Sequence, residues 1–307
     1  MSDILDAVII GAGPGGLSGA IYLARFQRRF LVIDSGESRL DWIPCTHNHP
    51  GFPDGVEGPV LRGRIREQAE RYGARIRPGR VVRLAGGDWN FELALEDGET
   101  LRARKVLLAT GVIDNEPAIE GFREAVRHTQ IRICPICDAY EARGKAIGIV
   151  GNSAKGAREA LFLRGYSDKV TLIHVGAAET LPDRERREIA EAGVELIVTP
   201  IEGLLIGEDE IAALDFGSGG VRRFDTLYSA LGTTPRGQLA EQIGALTDPG
   251  GCLQVNDHQE TAVPGLYAAG DLVRGLNQIS VAQGEAAIAA TDIHNKLRQA
   301  GLAQQAP

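Results

Sequence analysis

Cysteine is scarce in this chain: four residues in 307, at positions 45, 134, 137 and 252, do not make a disulfide scaffold. Long apolar runs are missing too. None reaches the roughly 20 residues that a membrane-spanning helix needs, so no membrane association is expected. The first residues lack a basic stretch followed by a cleavable apolar one, and the expected setting is cytoplasmic. There structural disulfides are rare, and a close cysteine pair is more often catalytic. Positive charge is not in excess: a net charge of −8 and a pI near 5.4 argue against nucleic acid as the main partner. The basic run Arg184-Glu185-Arg186-Arg187 is interleaved with acid and reads as a solvated helix face.

What remains is an ordinary soluble composition, 43% hydrophobic and 24% charged, with 39 glycines to serve tight turns. At 307 residues the chain can bury a large core, and its length favours two domains.

The densest signal is Cys134-Pro135-Ile136-Cys137-Asp138, whose second cysteine stands fourteen residues ahead of a glycine turn at Gly151. Two intervening residues keep the sulfurs close enough to form and break a bond, and a nearby charge or dipole can lower one thiol's pKa. The other reading is half of a zinc site. Four ligands would be required, and neither a second CxxC nor a His-x3-His partner exists; Cys45 and Cys252 stand alone. The pair therefore points to redox rather than metal chemistry.

Near the amino terminus, Leu5-Asp6-Ala7-Val8-Ile9-Ile10 suits a buried parallel strand. It runs into Gly11-Ala12-Gly13-Pro14-Gly15-Gly16 and then a helical pattern through Leu17, Ala20, Ile21, Leu23 and Ala24. In this GxGxxG spacing Gly11 makes the tight turn, Gly13 admits a pyrophosphate to the backbone, and Gly16 lets helix and strand pack closely. The helix amino terminus then offers free amides to phosphate. A second strand, Phe30-Leu31-Val32-Ile33, ends on Asp34, eighteen residues after Gly16, where a carboxylate can bind both hydroxyls of an adenosine ribose. Strand, glycines, helix, strand and acid in that order mark a dinucleotide site.

Two more buried strands end on small-residue turns. Lys105-Val106-Leu107-Leu108 closes on Ala109-Thr110-Gly111, and Leu266-Tyr267-Ala268-Ala269 closes on Gly270-Asp271 ahead of a helix starting near Gln278. Asp271 could there hold the hydroxyls of a ribityl chain. Between them the βαβ pattern repeats: strand Ala146–Val150, turn Gly151-Asn152-Ser153-Ala154-Lys155-Gly156, helix, then strand Val170–His174. This second turn is altered. Ser153 stands where a side chain crowds a pyrophosphate, and His174-Val175-Gly176 offers neither an acid for a ribose nor an immediate arginine for a 2′-phosphate. Arg184 or Arg186 could reach round, though a surface helix explains them as well.

These motifs, with Asn48-His49-Pro50-Gly51, resemble the low-molecular-weight thioredoxin reductases along almost the whole chain. The resemblance implies an α/β fold of two Rossmann-like nucleotide-binding domains, the second inserted into the first. The FAD-binding domain would take residues 1–115 and 245–307, and the CxxC domain residues 116–244, with hinges near Asn115-Glu116-Pro117 and Leu246-Thr247-Asp248-Pro249. It further implies a homodimer with non-covalent FAD held by Gly11, Gly13, Pro14, Gly15, Gly16, Asp34, Asn48, Ala109, Thr110, Gly111, Gly270, Asp271 and Gln278. Cys137 would face the flavin, Cys134 would meet the external disulfide, and Asp138 would donate and accept the proton; a plain turn residue is the other reading of Asp138. Partners by resemblance are a thioredoxin-like protein or a small disulfide or dithiol.

The departures point elsewhere for the electron source. Members that use NADPH show GxGxxA in the second domain and His-Arg-Arg at its second strand, against Gly151, Asn152, Ser153, Gly156 and His174-Val175-Gly176 here. The family's Arg-Gln before the last helix is Asn277-Gln278. NAD(P)H specificity therefore does not carry over. Relatives that have lost it exchange electrons with oxygen, ferredoxin or another donor protein, and some hold a second FAD in the vacated pocket. Three readings compete: an enzyme independent of pyridine nucleotide, a conventional NAD(P)H reductase using Lys155 or Arg158 for phosphate, and a non-catalytic flavoprotein sensor. Cys45 reads as a buried inert thiol or a third redox thiol, His47 and His49 as polar packing or proton shuttles, and Cys252 as a turn neighbour.

Overall fold

The computed structural model describes residues 4–117, 120–206 and 212–302. Its contacts divide the chain into two units: one takes the described residues up to Asp41 with Gly58–Ile113 and Thr234 onward, the other Trp42–Glu57 and Asp114–Thr233.

The first unit is built on strands β1 (Leu5–Ile10), β2 (Phe30–Asp34), β3 (Ile76–Pro78), β4 (Val81–Gly87), β5 (Asn90–Leu95), β6 (Thr100–Leu108) and β17 (Leu266–Ala268). They hydrogen-bond in the order β3-β2-β1-β6-β5-β4, with β17 also on β6. The β1–β2 and β1–β6 pairs are parallel, Ala7 facing Phe30 and Lys105, as expected of strands joined through a crossover helix. Toward its carboxyl end β6 takes β17 in parallel, Val106 facing Leu266, while its first half pairs antiparallel with β5. Helix α1 (Pro14–Arg25) buries Leu17, Ala20, Ile21 and Leu23 on one face and packs on α8 (Ile279–Gln299), with α2 (Gly58–Arg71) alongside. Val8, Ile33, Leu84, Phe91, Val106 and Leu266 share one core cluster.

The second unit holds helices α3 (Phe122–Arg127), α4 (Pro135–Asp138), α5 (Ala154–Arg164) and α6 (Asp183–Glu191). Its main sheet uses β8 (Ile131–Arg132), β9 (Ile147–Gly151), β10 (Val170–His174), β11 (Glu195–Ile197) and β15 (Thr226–Ala230), ordered β11-β10-β9-β15-β8. The β9–β10 and β9–β15 pairs are parallel, and both faces are buried at β9, which explains its unbroken apolar run. An antiparallel meander of β12 (Gly203–Ile206), β13 (Ala212–Asp215) and β14 (Val221–Phe224) completes it.

The chain leaves the first unit through β7 (Val112–Asp114) and returns through β16 (Thr233–Pro235), two strands that pair with each other. The return thus comes at Thr234, before the residue 245 expected from the sequence. The reason is local packing. Helix α7 (Gln238–Glu241) puts Ala240 into the first unit's core beside Leu84 and Leu253, and Gln242 Oε1 accepts the Leu84 N–H of edge strand β4 at 2.9 Å. Leu246–Pro249 is a turn inside that unit, where the Asp248 N–H donates to the Cys252 carbonyl at 2.9 Å.

Candidate active site

At the carboxyl ends of β1, β2, β6 and β17 the first unit gathers most residues expected to hold a dinucleotide. Gly11 has φ +104°, and its N–H donates to the Ile33 carbonyl at 2.8 Å, which ties the turn to β2. A Cβ on Gly11 would lie 2.3 Å from the Ala109 carbonyl oxygen, and one on Gly16 only 1.8 Å from that of Gly11. Both positions are closed to any other residue. Gly13 differs: a Cβ there would meet only Ser38 Oγ, at 3.7 Å. Space is left beside the first amides of α1, whose start has Pro14 and no side-chain cap. That open cradle fits a pyrophosphate, and Gly15, packed against the carbonyls of Ala282 and Ala269, keeps the turn close to α8.

Asp34 is buried at the end of β2. Its Oδ1 accepts the Gly36 N–H at 3.2 Å, and its Oδ2 accepts Arg62 Nη2 at 2.9 Å. Arg62 also donates to Asp41 and to the Ala12 carbonyl, so it is a fixed neighbour of Asp34, the acid expected to bind a ribose, and the sequence did not single it out. A groove of about 440 Å³ opens here, lined by Asp34, Ser35, Gly36, Arg62, Arg66 and Arg80. The Thr110 hydroxyl donates to the Arg236 carbonyl at 2.7 Å, and Gly111 and Gly270 hold positive φ. Asp271 pairs with Arg39 at 2.6 Å. The Gly270 N–H donates to Glu285 Oε2 at 2.7 Å, and burial holds the Glu285 carboxyl above its usual range. Gln278 caps α8 in extended backbone. Asn48 is not among these residues: it falls in the Trp42–Glu57 segment of the second unit, accepting the Thr46 hydroxyl at 3.0 Å.

In the second unit Cys134 and Cys137 form a disulfide with Cα atoms 5.3 Å apart, on the single turn of α4. The Cys137 N–H donates to the Cys134 carbonyl at 3.0 Å. Asp138 follows, its Oδ2 accepting Arg132 Nη1 at 2.9 Å and its Oδ1 the Tyr228 hydroxyl at 2.8 Å. Burial pushes its carboxyl above the usual range, against the pull of Arg132 and Tyr228 and with a small push from Glu141. Arg132 and Tyr228 were missed in the sequence: Tyr228 lies ninety residues from Asp138 and carries no local signal.

The second glycine turn closes on its own chain. Gly151 and Gly156 pack tightly, each Cβ position falling within 3.0 Å of the other's Cα. The Thr180 hydroxyl donates to the Asn152 carbonyl at 2.8 Å, and buried His174 sets Nε2 3.1 Å from the Ala177 carbonyl. A Cβ on Gly176 would sit 2.4 Å from that same Asn152 oxygen. Arg186 donates to the carbonyls of Leu181 and Ala178, and Arg184 to Glu188. Ser153 caps α5 with no side-chain hydrogen bond to it. Burial, followed by Glu57 and Glu141, holds the Cys45 thiol up, and burial holds His49 down.

Two glycine-turn βαβ units and a CxxC disulfide followed by a half-buried acid define an enzyme of the disulfide oxidoreductase class. Residues 5–286 match the family described as pyridine nucleotide-disulphide oxidoreductase. The thioredoxin reductase of Mycolicibacterium smegmatis is 32% identical over 282 residues, spanning 87% of this chain and 88% of that protein. That of Listeria monocytogenes serovar 1/2a (strain ATCC BAA-679 / EGD-e) is 28% identical over 298 residues, spanning 93% and 92%. The crystal structure of HlmI matches with a TM-score of 0.88 at 29% identity, covering 98% of this chain and 95% of that one. The chain belongs to the pyridine nucleotide-disulphide oxidoreductase family, in its low-molecular-weight thioredoxin reductase branch.

Proposed function

We propose that this protein is an FAD-dependent dithiol–disulfide oxidoreductase whose electrons do not come from NADPH. Its Cys134–Cys137 pair exchanges electrons with a protein or small-molecule disulfide, thioredoxin-like in the first instance. The observation that carries the redox part is the Cys134–Cys137 bond, with Asp138 held next to it by two donors. Bound FAD would supply the two-electron chemistry; Gly11, Gly13, Gly15 and Gly16, with Asp34 and Asp271, would hold it in the first unit. Asp138 takes and returns a proton at its carboxylate, while Cys134 and Cys137 make and break the sulfur bonds. Homodimer assembly and a cytoplasmic setting belong to the same reading.

Independence from NADPH is supported by the Thr180–Asn152 contact at the second turn and by the engagement of Arg184 and Arg186 with their own helix and loop. The donor would then be a protein, oxygen would serve as acceptor in the reverse direction, and a second FAD is the other occupant for the altered pocket. A conventional NADPH-dependent reductase is the second reading. The absence of a side-chain cap on α5 favours it, since those first amides could take a phosphate.

An anaerobic titration of the flavin band near about 450 nm separates them. Bleaching by dithiothreitol and none by NADPH or NADH is the expected result. Stoichiometric bleaching by NADPH would overturn independence from it. Flavin and disulfide that titrate with no turnover of any disulfide would make the protein a sensor. FAD counted per subunit in the same sample tells whether the second turn holds a second flavin.

A further inference from the structure

We propose that Arg132 and Tyr228 are positioning residues for Asp138: they grip its two carboxylate oxygens and set the pH at which it handles the proton of thiol–disulfide exchange. The inference rests on the reading of Asp138 as the proton carrier given above.

The grip follows from sheet register. β8 and β15 run parallel with Arg132 directly beside Tyr228. In-register neighbours send their side chains to the same face, with strands about 4.8 Å apart. Two donors at that spacing straddle a carboxylate, and α4 brings Asp138 between them. Arg132 Nη1 takes Oδ2 at 2.9 Å and the Tyr228 hydroxyl takes Oδ1 at 2.8 Å. Each donor is itself fixed. Arg132 Nε donates to the buried Thr226 hydroxyl at 3.2 Å, and the Tyr228 ring is fully buried in the core cluster of Ile149 and Ala142. Burial pushes ionisation of Tyr228 far above its ordinary value, so it remains a donor throughout the working range.

The charges around Asp138 oppose one another. Burial raises its carboxyl, Arg132 and then the Tyr228 hydrogen bond lower it, and Glu141 raises it. Glu141 Oε2 is buried and accepts no hydrogen bond among the described residues. Helix α5, packed against α4, carries Lys155, Arg158 and Glu159; Lys155 pairs with Glu159 at 3.7 Å. Arg132 is thus the positive charge placed on Asp138, and with it gone the carboxyl stays protonated to higher pH.

During exchange Cys134 Sγ bonds one sulfur of the external disulfide as that S–S bond breaks. Cys137 Sγ then displaces the external sulfur and closes the Cys134–Cys137 bond. Two electrons and two protons leave with the two external thiols. Asp138 takes each proton from the attacking thiol and hands it to the departing sulfur. Only the ionised carboxylate can accept, so the rate rises with pH through the Asp138 pKa, and losing a group that lowers this pKa moves the limb upward.

The test uses the full-length flavoprotein, reduced anaerobically with dithiothreitol and freed of excess reagent. Its exchange with an aromatic nitrobenzoate disulfide is followed by stopped flow across pH. Tyr228→Phe is expected to move the limb up by about one pH unit or less, and Arg132→Gln by about one to three. Arg132→Lys, which keeps the charge, restores most of the wild-type profile. In an Asp138→Asn background neither substitution adds a further shift. Near-ultraviolet dichroism and the flavin spectrum report whether each variant is folded, and Tyr228→Phe, which removes one oxygen atom, keeps the test open if Arg132→Gln does not fold. An Asp138→Asn profile like wild type would sink the proton-carrier reading itself. A changed Asp138→Asn profile with Tyr228→Phe and Arg132→Gln unshifted would leave that reading standing and overturn the grip.

Discussion

Replacing Cys137 by serine is expected to cut multiple-turnover disulfide exchange by about a thousand-fold or more, the scale of losing a covalent nucleophile. The enzyme should instead accumulate as a mixed disulfide through Cys134. A lone Cys134 thiol can still attack an external disulfide, but no neighbouring thiol then displaces the bound sulfur. Cys134→Ser is expected to lose the same turnover without trapping a partner, since its remaining thiol is the one read as facing the flavin. Neither variant should unfold the protein. The bond joins residues three apart, so it closes a very short loop and constrains little of the unfolded chain. The turn is also held by the Cys137 N–H on the Cys134 carbonyl, which serine leaves in place. Intact-mass spectrometry after mixing with a disulfide-bearing partner reads the trap directly. Trapping by Cys134→Ser and not by Cys137→Ser would reverse the two roles. Full turnover by both would remove the pair from the reaction.

Cys45 should not substitute for either. Burial and the nearby Glu57 and Glu141 hold its thiol protonated, the opposite of what a nucleophile needs. Its Sγ and the His47 ring both crowd Gly55, where a Cβ would fall 2.6 Å from the sulfur and 2.7 Å from His47 Nδ1.

The parts of the site legible in sequence are those whose physical requirement is local. Gly11 and Gly16 announce themselves because a turn at φ +104° and a helix packed against a strand each exclude a side chain within a few residues of the motif. Asp34 reads as a strand-end acid for the same reason. Arg62 does not, because it reaches Asp34 from α2, 28 residues further on, and nothing about an arginine on an exposed-looking helix marks which carboxylate it will meet. Tyr228 was hidden in the same way: in sequence it is one more apolar position of a buried strand, and only the β8–β15 register gives its hydroxyl a direction. The return of the chain at Thr234 was missed because α7 is four residues long and anchored by Ala240, too little for a helical period to show. At the second turn Ser153 and the His174-Val175-Gly176 run are visible in sequence, whereas the contact of Thr180 with the Asn152 carbonyl depends on a loop that folds back over that turn.

Gly16→Ala is expected to damage fold and cofactor together, whereas Gly13→Ala should damage the cofactor alone. On Gly16 the new methyl would lie 1.8 Å from the Gly11 carbonyl oxygen and 3.3 Å from Ala109 Cβ. The oxygen belongs to backbone locked to β2 by the Gly11 N–H, so relief requires α1 to lift from β1. Overpacking of this kind costs about 1–3 kcal/mol, and more where backbone cannot yield. The melting temperature should fall, and the protein should purify with little FAD. On Gly13 the methyl would meet nothing nearer than Ser38 Oγ at 3.7 Å, and the backbone is already extended, with φ −80° and ψ −169°. Stability of the apoprotein should therefore be close to wild type. The methyl would fill the space left for a pyrophosphate, and FAD affinity should drop at least about tenfold, equivalent to about 1.4 kcal/mol. Thermal unfolding of the apoproteins and fluorescence titration with FAD measure the two effects separately. Unchanged FAD affinity in Gly13→Ala would mean that phosphate is not carried at this turn. Wild-type stability in Gly16→Ala would mean that α1 and β1 can part without cost, which the full burial of Leu17 and Leu23 on α1 and of Ile9 on β1 argues against.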